Sequence, residues 1–243
     1  MKKVVVVAPT FNEAESIEKF IAQVLAQRNS LPEYELKLLN SASQSKDKTA
    51  DIVKKIAVKD KNIVYLDVLE RGLGLGLVKG LNYAVEKMGA DVLVTMEADL
   101  SNDPSEIAQF VKKTEKFDVV IGSRYIEGGM IANWSWWRRA ASQAANYILM
   151  FLAWTSRLHE FTNLYRAFTK EVWEGVKPNI KIHKGWLFVP AFAFEVLGSQ
   201  YKVAEIPIIY FDRFGGRSKM RTFSYTKDLL RYALRFRFKK MFG

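Results

Sequence analysis

Glu97 and Asp99 stand one residue apart in "DVLVTMEADLSNDP" (Asp91–Pro104), where an apolar run gives way to acids and a turn. No His or Cys accompanies them, so the donor set is unlike that of a zinc site. Oxygen-only ligands suit Mg²⁺ or Mn²⁺, which one or two carboxylates hold while substrate phosphates complete the shell. Ser101 can add a hydroxyl or hold a water. Alone, the pair is equally readable as solvated acids at a strand end. Four cations stand out: Arg124, Arg138, Arg213 and, at the start of the chain's basic end, Lys219. On a helix, Arg138, Ser142 and Asn146 fall four apart and share a face. "RFGGRSK" (Arg213–Lys219) sets glycines between cations, so its backbone can fold around a phosphate.

These groups need a frame. "KVVVVAP" (Lys3–Pro9), "ELKLLN" (Glu35–Asn40), "NIVYLDV" (Asn62–Val68), "DVLVTM" (Asp91–Met96) and "FDVVIGS" (Phe117–Ser123) read as strands. Helical patterns follow the first four: Glu13 to about Ala26, from Asp47, a glycine-rich turn and then a helix through Met88, and Pro104 to about Glu115. This alternation predicts an α/β fold with a mostly parallel sheet and helices on both faces. Such sheets bind ligands outside the carboxyl ends of their strands. Glu97 and Asp99 lie on that rim, as do Thr10–Glu13, Asp47 and Ser123–Arg124. The turn "ERGLGLGLVKG" (Glu70–Gly80) follows the third strand rather than the first, which speaks against a nicotinamide-dinucleotide fold. Its glycines permit either close approach of a ligand or close helix–sheet packing. After about Asn133 the pattern predicts a helix through "WWRRAASQAANYILMFLAW" (Trp136–Trp154), irregular polar–aromatic segments, and a strand over Tyr201–Phe211.

The chain has 243 residues, 49% of them hydrophobic, enough for one sizeable core. It has no cysteine, which excludes disulfides and thiolate metal sites and is compatible with a reducing compartment. The N-terminus shows no leader pattern. The net charge is +11, and Arg217–Gly243 carries nine lysines and arginines against Asp228. The remainder is therefore nearly neutral. "DLLRYALRFRFKKMF" interleaves those cations with apolar residues at helical spacing, as an amphipathic helix does at an anionic membrane surface. An ordinary surface helix packing its apolar stripe on the domain has the same pattern. The best apolar run, Ala144–Trp154, is short of the ~20 residues needed to span a bilayer. The expected organisation is a domain over 1–215 and a basic membrane-associating tail over 216–243.

Together the segments "APTFNEAESI", "SKDKTADI", "GLGLGLVKG", "MEADLSNDP", "GSRYIEGG", "WWRRAASQAAN", "EFTNLYRAF", "AEIPIIYFDR" and "GGRSK" resemble, in family order, inverting glycosyltransferases of the GT-A fold. The dolichol-phosphate (polyprenyl-phosphate) mannose synthases are the most similar subgroup. The resemblance implies a Rossmann-like GT-A domain with C-terminal amphipathic interfacial helices. The implied activity is transfer of mannose from GDP-mannose to a polyprenyl or dolichyl phosphate. It implies that Pro9, Thr10, Asn12, Glu13, Asp47, Glu97, Ala98 and Asp99 bind the nucleotide sugar. Glu97, Asp99 and Ser101 would hold Mg²⁺ or Mn²⁺. Arg124, Arg138, Ser142, Arg213 and Lys219 would bind the acceptor phosphate, with Asp99, Arg124, Arg213 and Lys219 central to catalysis. The implied place is the cytoplasmic face of a membrane, peripherally bound, and nucleic acid is not an expected partner. Four positions depart from the family pattern. Ala42 and Ser43 replace paired aspartates ahead of Ser45, Asp47 and Thr49, and Glu97 and Glu160 each replace an aspartate. These changes leave open a UDP-glucose-type donor, another acceptor, or an inert nucleotide- or membrane-binding relative.

Overall fold

Val4, Val5, Val6 and Val7 are all fully buried, although successive side chains of a strand point to opposite faces. Both faces of this strand, β1 (Lys2–Thr10), are therefore covered, which is why it reads as an unbroken apolar run. A computed structural model describes residues 1–180, 185–212 and 222–242. In it β1 lies between β2 (Tyr34–Ala42) and β4 (Val92–Thr95), both parallel to it, with β3 (Ile63–Asp67) outside β2. The full order of seven strands is β3-β2-β1-β4-β7-β5-β8, where β5 is Val119–Ser123, β7 is Arg166–Thr169 and β8 is Val203–Pro207. Only β7 is antiparallel to its neighbours. Val4 and Val6 share one core with α1 (Ile17–Ala26), α2 (Thr49–Lys59) and α4 (Ile107–Lys113). On the other face, Val5 and Val7 join a core containing α3 (Leu73–Glu86), α5 (Trp136–Ala153), α6 (Lys170–Val176), α7 (Phe188–Gly198) and α8 (Thr222–Phe242).

The alternating α/β reading holds, with four local corrections. The segment expected to be irregular contains β7, α6 and α7. All but two residues of α7 are buried, so it has no polar face and shows no helical period to read. The expected strand over Tyr201–Phe211 is two pieces. β8 ends at Pro207, and β9 (Ile209–Tyr210) leaves to pair with β6 (Met130–Ile131) in a separate two-stranded sheet. The glycine-rich "turn" is largely the start of α3, entered through Gly72 at φ +151°. A Cβ on Gly80 would come within 2.7 Å of Val7 Cγ1, so the glycine there allows α3 to lie directly on β1. Finally, α1 begins at Ile17 rather than Glu13; Glu13 closes a turn ahead of it, its carbonyl accepting the Ser16 and Ile17 N–H groups at 3.1 and 2.9 Å.

The basic C-terminal segment is helical and packs on α7 and α5. Leu229 and Ala233 are buried, and Tyr225, Tyr232 and Phe236 lean on the same core. Phe236 and Phe194 have ring centroids 5.0 Å apart, and the Tyr232 hydroxyl donates to Glu195 Oε1 at 2.7 Å. A second stripe, Leu230, Leu234, Phe238 and Met241, faces outward. Outward-facing Tyr147, Ile148 and Phe151 of α5 lead to exposed Trp154, over which Arg237 sits 4.2 Å from the ring centroid. Among the described residues no helix is long and apolar enough to cross a membrane. The expected boundary at 215/216 lies outside the described residues.

Leu229→Ala should lower the unfolding free energy of the whole chain by about 2–5 kcal/mol in urea denaturation. A loosely attached tail would leave the transition where it was.

Candidate functional site

Parallel pairing brings the ends of β1, β2 and β4 to one edge: Thr10 lies opposite Ala42, and Val7 opposite Thr95. Because β7 runs the other way, the loop that precedes it reaches this same edge. Arg166 pairs with both Thr95 and Ile121, so residues 160–165 are set between the ends of β4 and β5.

On the acidic side, Leu100 at φ +60° turns the chain sharply after Asp99. Asp99 is 4% exposed, and its Oδ1 accepts the Ser101 N–H at 3.1 Å and the Ser101 hydroxyl at 2.6 Å. Glu97 Oε2 accepts from Asn102 Nδ2 at 2.7 Å. Ala98 is buried, with its methyl in the core. No group of three or more acids, histidines or cysteines converges among the described residues. Two carboxylates and a hydroxyl fit a hard divalent ion that takes its remaining ligands from substrate phosphates and water. They would not make a closed protein cage.

Neighbouring loops complete the nucleotide side. Asn12, at φ +54°, donates its N–H to Ser45 Oγ at 3.1 Å, and its Oδ1 accepts from the Lys46 N–H at 2.8 Å. Asp47 accepts from the Ala14 and Thr49 N–H groups and from the Thr49 hydroxyl. Burial raises the Asp47 pKa, but these hydrogen bonds outweigh it and leave the carboxyl below its ordinary value. Asp47 thus braces two loops against each other. Thr10 donates to Asn40 Oδ1 at 2.6 Å, and its carbonyl accepts from Ser43 N at 3.0 Å. Ala42 and Ser43 are both buried beside Thr10.

The cationic side centres on Arg124. Its Nε and Nη2 grip Glu160 Oε2 and Oε1 at 2.7 and 2.9 Å, and Nη2 also donates to Thr162 Oγ1 at 2.8 Å. Both charges are buried. Desolvation opposes ionisation of each, yet the mutual charge and hydrogen bonds prevail, holding Arg124 above and Glu160 below its ordinary pKa. Tyr125 donates its hydroxyl to Ser142 Oγ at 2.7 Å. Arg138 is 3.6 Å from the Trp134 ring centroid and 3.6 Å from Asp212 Oδ1. Asn146 is buried rather than part of an open polar stripe: its Oδ1 accepts the Phe161 N–H at 2.8 Å, tying α5 to the 160–165 loop. Arg213 and Lys219 lie outside the described residues.

Three participants are absent from the sequence reading. Tyr210 sits between the two sides, with Arg124 5.2 Å from its ring. Burial first, then the charges of Glu97 and Asp99, push its hydroxyl up to about 12. Glu205 accepts the N–H groups of His159 and Glu160 at 3.0 and 2.9 Å and so presents Glu160 to Arg124. Arg166 is fully enclosed, donating to the Val189 and Phe161 carbonyls, and burial lowers its pKa to about 10. Both Glu205 and Arg166 fall within the motif segments, but nothing local marks them as buried charges.

Glycosyl transferase family 2 matches residues 5–176. A polyprenol monophosphomannose synthase of Mycolicibacterium smegmatis is 29% identical over 222 residues, covering 90% of this chain and 81% of that protein. An undecaprenyl-phosphate mannosyltransferase of Micrococcus luteus is 29% identical over 219 residues, covering 90% and 87%. Among solved structures, glucosyl-3-phosphoglycerate synthase of Mycobacterium tuberculosis with Mn²⁺, uridine diphosphate and phosphoglyceric acid superposes with a TM-score of 0.71. It is 14% identical and covers 97% of this chain and 78% of that one. Its Mg²⁺ and uridine-diphosphate complex gives 0.70 at 15% identity, covering 97% and 79%. The likeness establishes the GT-A-like fold.

Removing one half of the buried pair leaves the other charge stranded, so Arg124→Ala should cost about 3–5 kcal/mol of stability in chemical denaturation. Glu106, in the 3₁₀ turn Pro104–Glu106 after the acidic loop, has a buried Oε2 with no hydrogen-bond partner among the described residues. Burial, then the Asp103 charge, raises its pKa from 4.5 to about 7. A raised carboxyl gives stability that is present below 4.5 and lost as pH rises through 7. Glu106→Gln should therefore stabilise the protein by about 2 kcal/mol at pH 8 and hardly at all at pH 4.5, read from melts at both pH values.

Proposed function

The chain belongs to glycosyl transferase family 2, and from that premise we propose that it transfers a sugar, mannose from GDP-mannose, to a polyprenyl phosphate with inversion at the anomeric carbon. The observation that carries this reading is the placing of Tyr210 between the carboxylates of Glu97 and Asp99 and the guanidinium of Arg124, which puts an acidic and a basic half in one site. The similarity to two polyprenyl-phosphate mannosyltransferases over 90% of the chain supports the choice of sugar and acceptor.

In this reading an oxygen of the acceptor phosphate attacks the anomeric carbon as the carbon–oxygen bond to the nucleoside diphosphate breaks. The attacking phosphate is already anionic at neutral pH, so no side chain need remove a proton. What remains for the protein is alignment and charge. Pro9, Thr10, Asn12, Glu13, Asp47 and the Ala98 backbone line the nucleotide side. Glu97 and Asp99, with Ser101 orienting Asp99, would hold Mg²⁺ or Mn²⁺, which neutralises charge on the departing diphosphate when bound. Arg138 and Ser142, joined by Arg213 and Lys219, receive the acceptor phosphate. Arg124 acts mainly through its field: its Nε and Nη2 are engaged by Glu160 and Thr162, which leaves Nη1 as the arm toward a phosphate. The enzyme sits peripherally on the cytoplasmic face of a membrane. The outward apolar residues of α5 and α8 enter the headgroup region, and the cations of α8 meet anionic lipid.

Incubation with labelled GDP-mannose or UDP-glucose, polyprenyl phosphate and Mn²⁺ tests the reading. Mannose label is expected in the organic phase, and chelation should abolish it. Asp99→Ala should reduce transfer at least about 100-fold without unfolding the chain. Label that stays in the aqueous phase, or near-normal turnover by Asp99→Ala, would overturn it.

A further inference from the structure

Glu97 carries one methylene more than an aspartate, so its carboxylate can swing through more rotamers unless something holds it. The Asn102 amide does so at 2.7 Å. A carboxylate only accepts, so the Asn102 nitrogen must face Glu97 and its oxygen must face elsewhere. That oxygen and nitrogen confront the amide of Asn163 in a reciprocal pair, each contact 3.5 Å long. The Asn163 amide is oriented independently, donating to the Gly122 carbonyl at 3.0 Å and accepting the Tyr165 N–H at 3.2 Å. The Asn163 backbone N–H, in turn, donates to Glu160 Oε1 at 3.0 Å, the same oxygen that accepts from Arg124 Nη2. Asn102 is fully buried and Asn163 is 2% exposed, so water does not compete for these bonds. A continuous run of hydrogen bonds thus joins the acid on one side of the site to the ion pair on the other.

We propose that Asn102 and Asn163 are positioning residues: their paired amides hold the Glu97 carboxylate in its metal-binding orientation and set it in register with the Glu160–Arg124 pair. This rests on Glu97 serving as a metal ligand in the reading above. Neither asparagine needs to touch substrate. Partners that orient a ligand are commonly worth 10–100-fold in metal affinity. Because both amides act through Glu97, their effects should not add.

Mn²⁺ would be titrated calorimetrically into the full chain holding GDP or UDP, whichever the unaltered protein binds. Asn102→Ala should raise the Mn²⁺ dissociation constant about 10–100-fold, while nucleotide affinity in EDTA stays within about twofold. Asn163→Ala should shift it in the same direction, and the double variant should be no weaker than Asn102→Ala alone. Should Asn102→Ala fail to fold, the Asn163→Ala titration decides. Mn²⁺ affinity within about twofold of the unaltered protein in the folded variants, or losses that simply add, would overturn this inference while leaving the proposed function standing. Failure of the unaltered protein to bind Mn²⁺ at all would overturn both.

Discussion

Arg124 and Glu160 are both withdrawn from water, and the cost of dehydrating two such ions is several kcal/mol each unless other groups take the place of water. Here that replacement is nearly complete. Glu160 Oε1 accepts from Arg124 Nη2, the Thr162 N–H and hydroxyl and the Asn163 N–H, and Oε2 accepts from Arg124 Nε. Each of these donors belongs to the end of β5 or to the loop before β7. The pair therefore can form only if β7 lies beside β5 with its leading loop at the ligand edge. Glu205 adds a further condition, since it fixes the peptides of His159 and Glu160 from β8. One buried interaction thereby requires three strands to be in register, and the site inherits its geometry from that requirement.

The acidic half depends on the same arrangement by a different route. Glu97 and Asp99 leave β4 after Thr95, whose hydroxyl donates to the Leu164 carbonyl at 2.7 Å within the same loop. Charge of one sign on one side and of the other sign opposite would collapse into salt bridges if the side chains were free to meet. They are kept apart because Arg124 already has its acid and because Tyr210 stands between. The site keeps its polarity by internal pairing of Arg124 with Glu160.

Helix α8 has two apolar stripes. Leu229, Ala233 and the rings of Tyr232 and Phe236 bind it to α7, so it belongs to the folded core. Leu230, Leu234, Phe238 and Met241 remain 38–58% exposed, on the helix that places Arg237 over the Trp154 ring. The segment "DLLRYALRFRFKKMF" packs on the domain, as an ordinary surface helix would, and also carries apolar side chains that remain partly exposed among its cations.

The parallel framework was legible because it is written in local pattern: Val4–Val7 is buried on both faces, and the acids of Glu97 and Asp99 follow a strand at the edge where such sheets bind ligands. The hydrogen bonds that join the loops of Asn12 and Asp47 were not legible, since they link residues more than thirty positions apart, and the roles proposed for Pro9, Asn12 and Asp47 rest on family resemblance. What sequence could not reveal has a common cause. β7 is four residues long, α7 is apolar on every side, and the partners of Arg124, Glu97 and Asn163 come from distant segments. None of these features has a period or spacing of its own. The residue types by themselves determined that carboxylates, amides and guanidinium groups would be available at the strand ends. Only the tertiary structure decided which would meet, because antiparallel insertion of β7 between two parallel strands is a choice of pairing across the whole chain, and burial then favours contacts that pair opposite charges, as it does for Glu160 and Arg124.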